Sequence, residues 1–146
     1  MSSVRPACRL LSVLTALCLL LVSLTACSGG ITREEAKTSM DSLLSALDNE
    51  NYAEAAALYH PDAAMTEELL AAFAEQVKTK VGIDLTEGAV VEKITGMSAS
   101  YYDSTVDGSR YALTAKIKAG DKTADLTVEV IRNDRGYGIF RVECNP

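Results

Sequence analysis

The spacing of the apolar residues changes once along this chain, near Gly82, and that change limits the fold more than any other feature. Before Gly82 apolar residues recur every three or four positions, as in Ala36, Met40, Leu43, Leu44 and Leu47; this is typical of amphipathic helices. After it they recur at every second position, as in Tyr111, Leu113, Ala115 and Ile117, which is typical of strands with one buried face. Helices followed by strands with short turns predict an α+β fold with an antiparallel sheet.

Three helices are predicted in the first part of this pattern. Thr32 and Glu35 have the spacing of a capping box, so the first helix should begin there. Asn51 can cap a short second helix over residues 52–59. A third helix is expected to begin near Thr66.

The strands predicted after the helices form a meander, one face of which must pack on the helices. Residues 90–102 predict one long strand or two short ones, with an irregularity at Gly96, and residues 137–142 predict the last strand. Turn signals separate the strands at residues 107–108, 119–121 and 133–136.

Residues 1–26 have the order of a secretory signal. Arg5 and Arg9 give a positive start, and residues 10–24 are apolar apart from Ser and Thr. That run is shorter than the roughly 20 residues of a membrane-spanning helix. The excess in the 48% hydrophobic content of the chain would therefore belong to a leader that is removed.

The residues that end this leader indicate a lipid anchor. Leu24-Thr25-Ala26-Cys27 resembles the lipobox of bacterial lipoproteins. The resemblance implies cleavage after Ala26, a diacylglycerol on the Cys27 thiol and a protein lipid-anchored to the extracytoplasmic face of a bacterial membrane. Residues 27–31 would be the lipidated end and a short tether. Two alternatives stay open: an ordinary cleaved signal with a chance cysteine, and an uncleaved anchor helix.

Cys144 would then be the one thiol of the mature domain, because Cys8 and Cys18 leave with the leader and Cys27 carries lipid. No intramolecular disulfide is expected. A nucleophilic role would require a base, and His60 is the one histidine of the chain. We predict that Cys144 is half-buried near the end of a strand.

The charge of the mature part argues against nucleic acid as a partner. Residues 27–146 contain 12 basic and 20 acidic residues, and an acidic domain lacks the surface that neutralises phosphates. The same residues contain no Gly-rich phosphate loop and no cluster of His and Cys, so no metal site and no other cofactor is predicted.

Two short motifs suggest a family for residues 32–146. The second helix begins Asn51-Tyr52-Ala53-Glu54-Ala55, and the last strand is Tyr137-Gly138-Ile139-Phe140-Arg141-Val142. With this order of elements the chain resembles the NTF2-like, or cystatin-like, superfamily, and more narrowly small bacterial lipoproteins with a DUF3887- or DUF4878-type domain. The chain departs from that pattern in lacking a glycine before Asn51 and in having Tyr137 or Phe140 where tryptophan is usual. The resemblance implies three N-terminal helices packed on a curved antiparallel sheet, a cone whose interior can be a pocket.

His60 and Asp62 are the candidate catalytic residues. Such a pair can perform acid–base chemistry, and in enzymes of the NTF2-like superfamily similar pairs project into the cone. The resemblance thus offers a small isomerase or dehydratase as an alternative function. The other interpretation is a histidine at a helix end that interacts with exposed carbonyl groups.

Four tyrosines are the candidate ligand-binding residues: Tyr52, Tyr59, Tyr101 and Tyr102. Tyrosine offers an apolar wall and a hydroxyl that fixes the orientation of a ligand. The alternative is that they fill the core. Because adjacent strand residues face opposite sides, one of Tyr101 and Tyr102 should point away from the core and could contact a partner.

The function predicted from these features is a non-catalytic binding or scaffolding domain, for a small apolar ligand or an envelope protein. A homodimer that forms through the open face of the sheet is a further hypothesis. The fold alone does not decide between these functions and an enzyme.

Overall fold

The computed structural model describes residues 30–100 and 107–146, and it confirms the α+β class. These residues contain three α-helices and then four strands: α1 (Arg33–Asp48), α2 (Tyr52–Ala57), α3 (Glu67–Gln76), β1 (Val90–Ser100), β2 (Ser109–Ala119), β3 (Lys122–Asn133) and β4 (Gly136–Asn145). The first 29 residues of the full chain lie outside the described part and precede these helices. The three helices therefore do not lie at the amino terminus of the chain.

The helices begin where the sequence places their caps. The Thr32 hydroxyl accepts a hydrogen bond from the Glu35 backbone N–H, and the Glu35 carboxylate accepts one from the Thr32 N–H at 2.8 Å. Asn51 caps α2 through the Glu54 N–H, and Thr66 caps α3 in the same way. These side chains satisfy N–H groups that the first turn of a helix leaves unpaired.

The end of α2 differs from the prediction. α2 ends at Ala57 rather than at residue 59, and a 3₁₀ turn, Pro61–Ala63, follows it. α3 continues into a π-helical turn, Val77–Val81, before Gly82 ends it with a φ of +83°. Glycine adopts this left-handed conformation without the steric cost that a β-carbon would bring.

The four strands form one antiparallel sheet in the order β1-β2-β3-β4. β1 is one strand, and its register against β2 shifts between Ile94 and Gly96, as the sequence predicts, and also between Val91 and Lys93. A third shift lies in the β3–β4 pair, beside Glu129. Bulges of this kind bend and twist the strands that contain them, so the sheet is curved.

The core lies between α1 and one face of the sheet. α1 contacts β1, β2 and β3. Polar contacts hold its first turns to the sheet: the Arg132 guanidinium donates to Glu35 at 2.6 Å, and the hydroxyls of Ser39 and Tyr137 lie 2.8 Å apart. The side chains with no exposed surface include Met40, Leu43, Leu113, Ala115, Ile117, Val128, Val130 and Ile139.

The other face of the sheet carries polar side chains. The Thr114 and Thr127 hydroxyls are 2.9 Å apart across β2 and β3. Arg110 donates to Glu129 at 2.5 Å, and its guanidinium lies 5.0 Å from the centre of the Phe140 ring. Polar residues therefore alternate with the buried ones, as expected for an antiparallel sheet with one solvated face.

Candidate functional site

His60 lies between the end of α2 and the edge of β4, with 1% of its surface exposed. Its backbone N–H donates to the Ile139 carbonyl at 2.8 Å, and the Ile139 N–H donates to the Leu58 carbonyl at 2.9 Å. These two bonds form a short parallel bridge between Tyr59 and Ile139. The backbone of the segment that contains His60 is thus fixed to β4 at Ile139.

Both ring nitrogens of His60 are engaged. Nδ1 accepts a hydrogen bond from the Asp62 backbone N–H at 3.1 Å. An accepting Nδ1 leaves the proton of a neutral imidazole on Nε2, and Nε2 lies 2.9 Å from the Asn133 side-chain oxygen, to which it donates. His60 caps the 3₁₀ turn at its amino end, rather than interacting with carbonyl groups at the end of α2.

The Asp62 carboxylate lies 3.5 Å from His60 Nδ1, so the structure brings the two candidate residues together. The carboxylate is held mainly by Arg135, whose Nε donates to its two oxygens at 2.8 and 3.0 Å and whose Nη2 lies 2.7 Å away. The Arg135 hydrogen bonds lower the pKa of Asp62. Asp62 is therefore an ionised hydrogen-bond acceptor at neutral pH.

Asn133 joins these groups to the turn between β3 and β4. Its side-chain oxygen also accepts the Arg135 backbone N–H at 3.0 Å, and its Nδ2 donates to the Asp107 carbonyl at 3.1 Å. We call His60, Asp62, Asn133 and Arg135 the histidine cluster. A general base needs a free ring nitrogen facing a substrate, whereas the nitrogens of His60 hold the 3₁₀ turn to the strand turn.

Sequence reasoning did not identify Asn133 and Arg135 as partners of His60. Residues 133–136 indicate a turn, and nothing local relates them to a histidine 73 positions earlier. Gly138 was also missed as a packing residue. A β-carbon on Gly138 would lie 2.4 Å from the His60 backbone nitrogen, so glycine permits this close approach.

The candidate tyrosines differ in their surroundings. Tyr59 is buried, and burial raises its pKa to about 12; it fills the core. Tyr52 is half-buried against that core and also lines a small groove of about 110 Å³ with Glu50, Glu75 and Asp84. Tyr101 and Tyr102 lie outside the described residues, as does Cys27.

The described residues also line two larger surface grooves. One of about 280 Å³ runs between the π-helical turn and the end of β4, and is lined by Phe73, Gln76, Val77, Lys80, Val81 and residues 142–145. The other, of about 390 Å³, lies between α1 and the start of β1, and is lined by Lys37, Asp41, Leu44, Ser45, Asp48 and residues 88–91. Their sizes are near the lower end of the range for ligand pockets, and neither is lined by the histidine cluster.

Cys144 lies half-buried near the end of β4. Burial, with a smaller contribution from the charge of Asp125, raises the pKa of its thiol to about 11. Thiolates rather than thiols are nucleophiles. At neutral pH Cys144 is therefore a protonated side chain that packs against the core.

Neither a metal cluster nor a spanning helix is found in the described part of the chain. Residues 30–100 and 107–146 contain no group of three or more His, Cys, Asp or Glu side chains placed to hold a metal ion. No helix within them is long and apolar enough to cross a membrane.

Comparisons of the chain with protein-family models, with curated proteins and with solved structures find no match.

Proposed function

We propose that this protein is a bacterial lipoprotein, held on the extracytoplasmic face of a membrane by lipid on Cys27, with a non-catalytic binding or scaffolding domain. The observation that carries the proposal is the order of the first 27 residues: two arginines, an apolar run, and Leu24-Thr25-Ala26-Cys27. A secretory leader that ends in a cysteine after small residues suits a chain that exchanges its leader for acyl chains.

The start of the described structure is compatible with a short tether. Ile31 is already buried in the core, and α1 begins at Arg33. From Cys27 to Ile31 an extended chain reaches at most about 14 Å. Lipid on Cys27 would therefore keep the folded domain close to the membrane surface.

The histidine cluster supports a binding or scaffolding role over catalysis. His60 is the one histidine of the chain, and both of its ring nitrogens hold the fold together. The enzyme alternative, with His60 and Asp62 as an acid–base pair, requires at least one of these bonds to open when substrate binds. The surface grooves offer binding sites that need no such change.

We also propose that the domain has the NTF2-like cone, as its motifs suggest. Helices on one face of a curved antiparallel sheet support this assignment. In such a cone the space between helices and sheet can hold a ligand; here fully buried side chains such as Leu43, Leu113 and Val128 occupy it.

The anchor is tested by mass spectrometry of the protein extracted from membranes. We expect a mature chain that begins at Cys27 and carries the added mass of acyl chains. Cys27→Ser should lose the added mass and the membrane association. Cys18→Ser, which changes a leader cysteine and leaves the lipobox intact, is the matched control and should be processed normally. A processed Cys27→Ser protein that stayed in the membrane fraction would contradict the proposal.

A further inference from the structure

Within residues 30–100 and 107–146, no strand covers the outer edge of β4 over its second half. β4 ends the sheet order, and within the described residues the pairing on its outer side is the bridge between Tyr59 and Ile139. Among the described residues, those of β3 are the pairing partners of β4 from Arg141 to Asn145. An unpaired strand edge offers backbone N–H and C=O groups to another strand.

The groove beside this edge is lined on the helix side by three apolar residues together with Gln76 and Lys80. Phe73, Val77 and Val81 face Val142 and Cys144 across a volume of about 280 Å³. A strand added to β4 would place alternate side chains against this lining. The site therefore suits a strand that has a small apolar residue at its centre. Val142 is such a residue.

The charged side chains on the opposite face of β4 determine which strand can pair with its edge. Arg141 and Glu143 flank Val142, both are exposed, and their charged atoms lie 4.0 Å apart along the strand. In an antiparallel pair centred on Val142, Arg141 stands opposite Glu143 of a second copy, and Glu143 opposite Arg141 of that copy. Opposite charges at facing positions stabilise a strand pair, and like charges destabilise it.

Other registers of the same pairing lack this match. A pair centred on Glu143 would place two glutamates opposite each other, and one centred on Arg141 would place two arginines opposite each other. Like charges at those central positions disfavour these registers. The sequence Arg141-Val142-Glu143 is thus complementary to itself in one antiparallel register.

We propose that two copies of this protein associate by antiparallel pairing of β4 with β4, centred on Val142. The other outer strand, β1, is less suited, because its register shifts at two places and it carries Lys93 between them; bulges and lysines are features that block edge pairing. The dimer does not depend on lipid at Cys27, so it can be tested separately from the anchor.

The test uses charge reversal in the full-length protein purified in detergent, with sedimentation velocity as the measurement. Arg141→Glu and Glu143→Arg each place like charges opposite each other in the homodimer. We expect each to weaken the dimer by about tenfold in Kd, since two charge pairs become repulsive. The double variant, with both reversals, restores two opposite-charge pairs and should dimerise like the wild type.

A mixture of the two single variants tests the charge pairing. One copy then has two glutamates and the other two arginines, so both cross-strand pairs are opposite in charge and a heterodimer should form. A monomeric wild-type protein at the highest attainable concentration would overturn the proposal. Single variants that dimerise like the wild type would overturn it as well, and so would a mixture that stays monomeric. Wild-type chains isolated with a different protein bound to this edge of β4 would also overturn it.

Cross-linking provides an independent measurement. In the Cys144→Ser background, Val142→Cys should form a disulfide-linked dimer under mild oxidation, because facing α-carbons of an antiparallel pair are about 4.5–5.5 Å apart. Thr127→Cys in the same background is the matched control, since this residue lies on β3, inside the sheet. Equal cross-linking of the two variants would contradict the β4 pairing.

Discussion

Gly138 lies so close to His60 that a β-carbon at position 138 would come within 2.4 Å of the His60 backbone nitrogen and 2.8 Å of its α-carbon. Both contacts are with backbone, which cannot rotate away as the end of a long side chain can. The bridge between β4 and the segment after α2 therefore depends on the absence of a side chain at this position.

We expect Gly138→Ala to lower the free energy of unfolding by about 1–3 kcal/mol, the range typical of an overpacked buried site. Urea denaturation measures the change. Gly96→Ala is the control, because a β-carbon there would meet its nearest neighbour, Thr114, at an ordinary 3.6 Å. Equal stability of Gly138→Ala and the wild type would show that the two segments separate easily.

Asn133→Ala removes the acceptor for His60 Nε2 and for the Arg135 N–H. Because His60 is buried, its N–H would lose its partner away from water, and we expect a loss of about 1–3 kcal/mol in unfolding free energy. Asn49→Ala serves as the control, since it removes one hydrogen bond, to the Ser45 carbonyl, at an exposed site. A similar small loss in both variants would argue against a structural role for the histidine cluster.

The contacts of His60 also predict its tautomer. With Nδ1 accepting from the Asp62 N–H, the neutral ring should carry its proton on Nε2. The nitrogen chemical shifts of the imidazole distinguish the two tautomers by NMR. A proton on Nδ1 would be incompatible with the hydrogen bond that caps the 3₁₀ turn.

Asp84 predicts a pH-dependent part of the stability. Its carboxylate accepts from Lys78 at 2.7 Å and from the Thr86 side chain and backbone at 2.7 and 3.0 Å, and these bonds, that of Lys78 first, lower its pKa from 3.8 to about 2. Because the pKa of Asp84 is lower in the folded state, its ionised carboxylate contributes to the free energy of unfolding. That contribution is fully present above about pH 4 and is lost as the pH falls toward 2.

The wild type should therefore be more stable than Asp84→Asn at pH 7, and the difference in unfolding free energy should shrink below pH 4. Urea denaturation over a pH series measures it. Asp121→Asn, in the exposed turn between β2 and β3, removes the same charge without these bonds. If the difference in unfolding free energy between the wild type and Asp84→Asn did not change with pH, the lowered pKa of Asp84 would be contradicted.

Cys144 should react slowly with thiol reagents in the folded protein, because burial raises its pKa to about 11 and leaves little thiolate at pH 8. Mass spectrometry of the modified peptide gives the rate. Unfolding in urea should accelerate the reaction, and the rate in the folded state should rise with pH up to about 11. Fast modification of the folded protein at pH 7 would be inconsistent with the buried thiol.

Much of the fold follows from local signals that the structure confirms. Thr32, Asn51 and Thr66 cap helices because side-chain oxygens next to a first turn satisfy its free N–H groups. The change to a period of two after Gly82 correctly predicts strands with one buried face. Leu69 shows the limit of periodicity: its spacing to Leu70, Phe73 and Val77 is that of one apolar helix face, yet 54% of it is exposed.

The candidate site was predicted only in part. His60 and Asp62 are two positions apart, so their proximity follows from local geometry. Their partners do not: Asn133 and Arg135 meet them because the turn between β3 and β4 folds back on the segment after α2. A turn sequence contains no information about which distant side chain will lie beside it.

The sequence by itself determined where the helices begin, where the strands turn and which strand residues face the helices, because caps, turns and periodicity act between residues a few positions apart. Only the tertiary structure decided that His60 is a buried link rather than a free base and that Gly138 must lack a side chain. It also decided that no strand among the described residues covers the edge of β4 beyond Ile139. These outcomes depend on contacts between residues far apart in the chain, and such contacts form when packing the core fixes which surfaces meet.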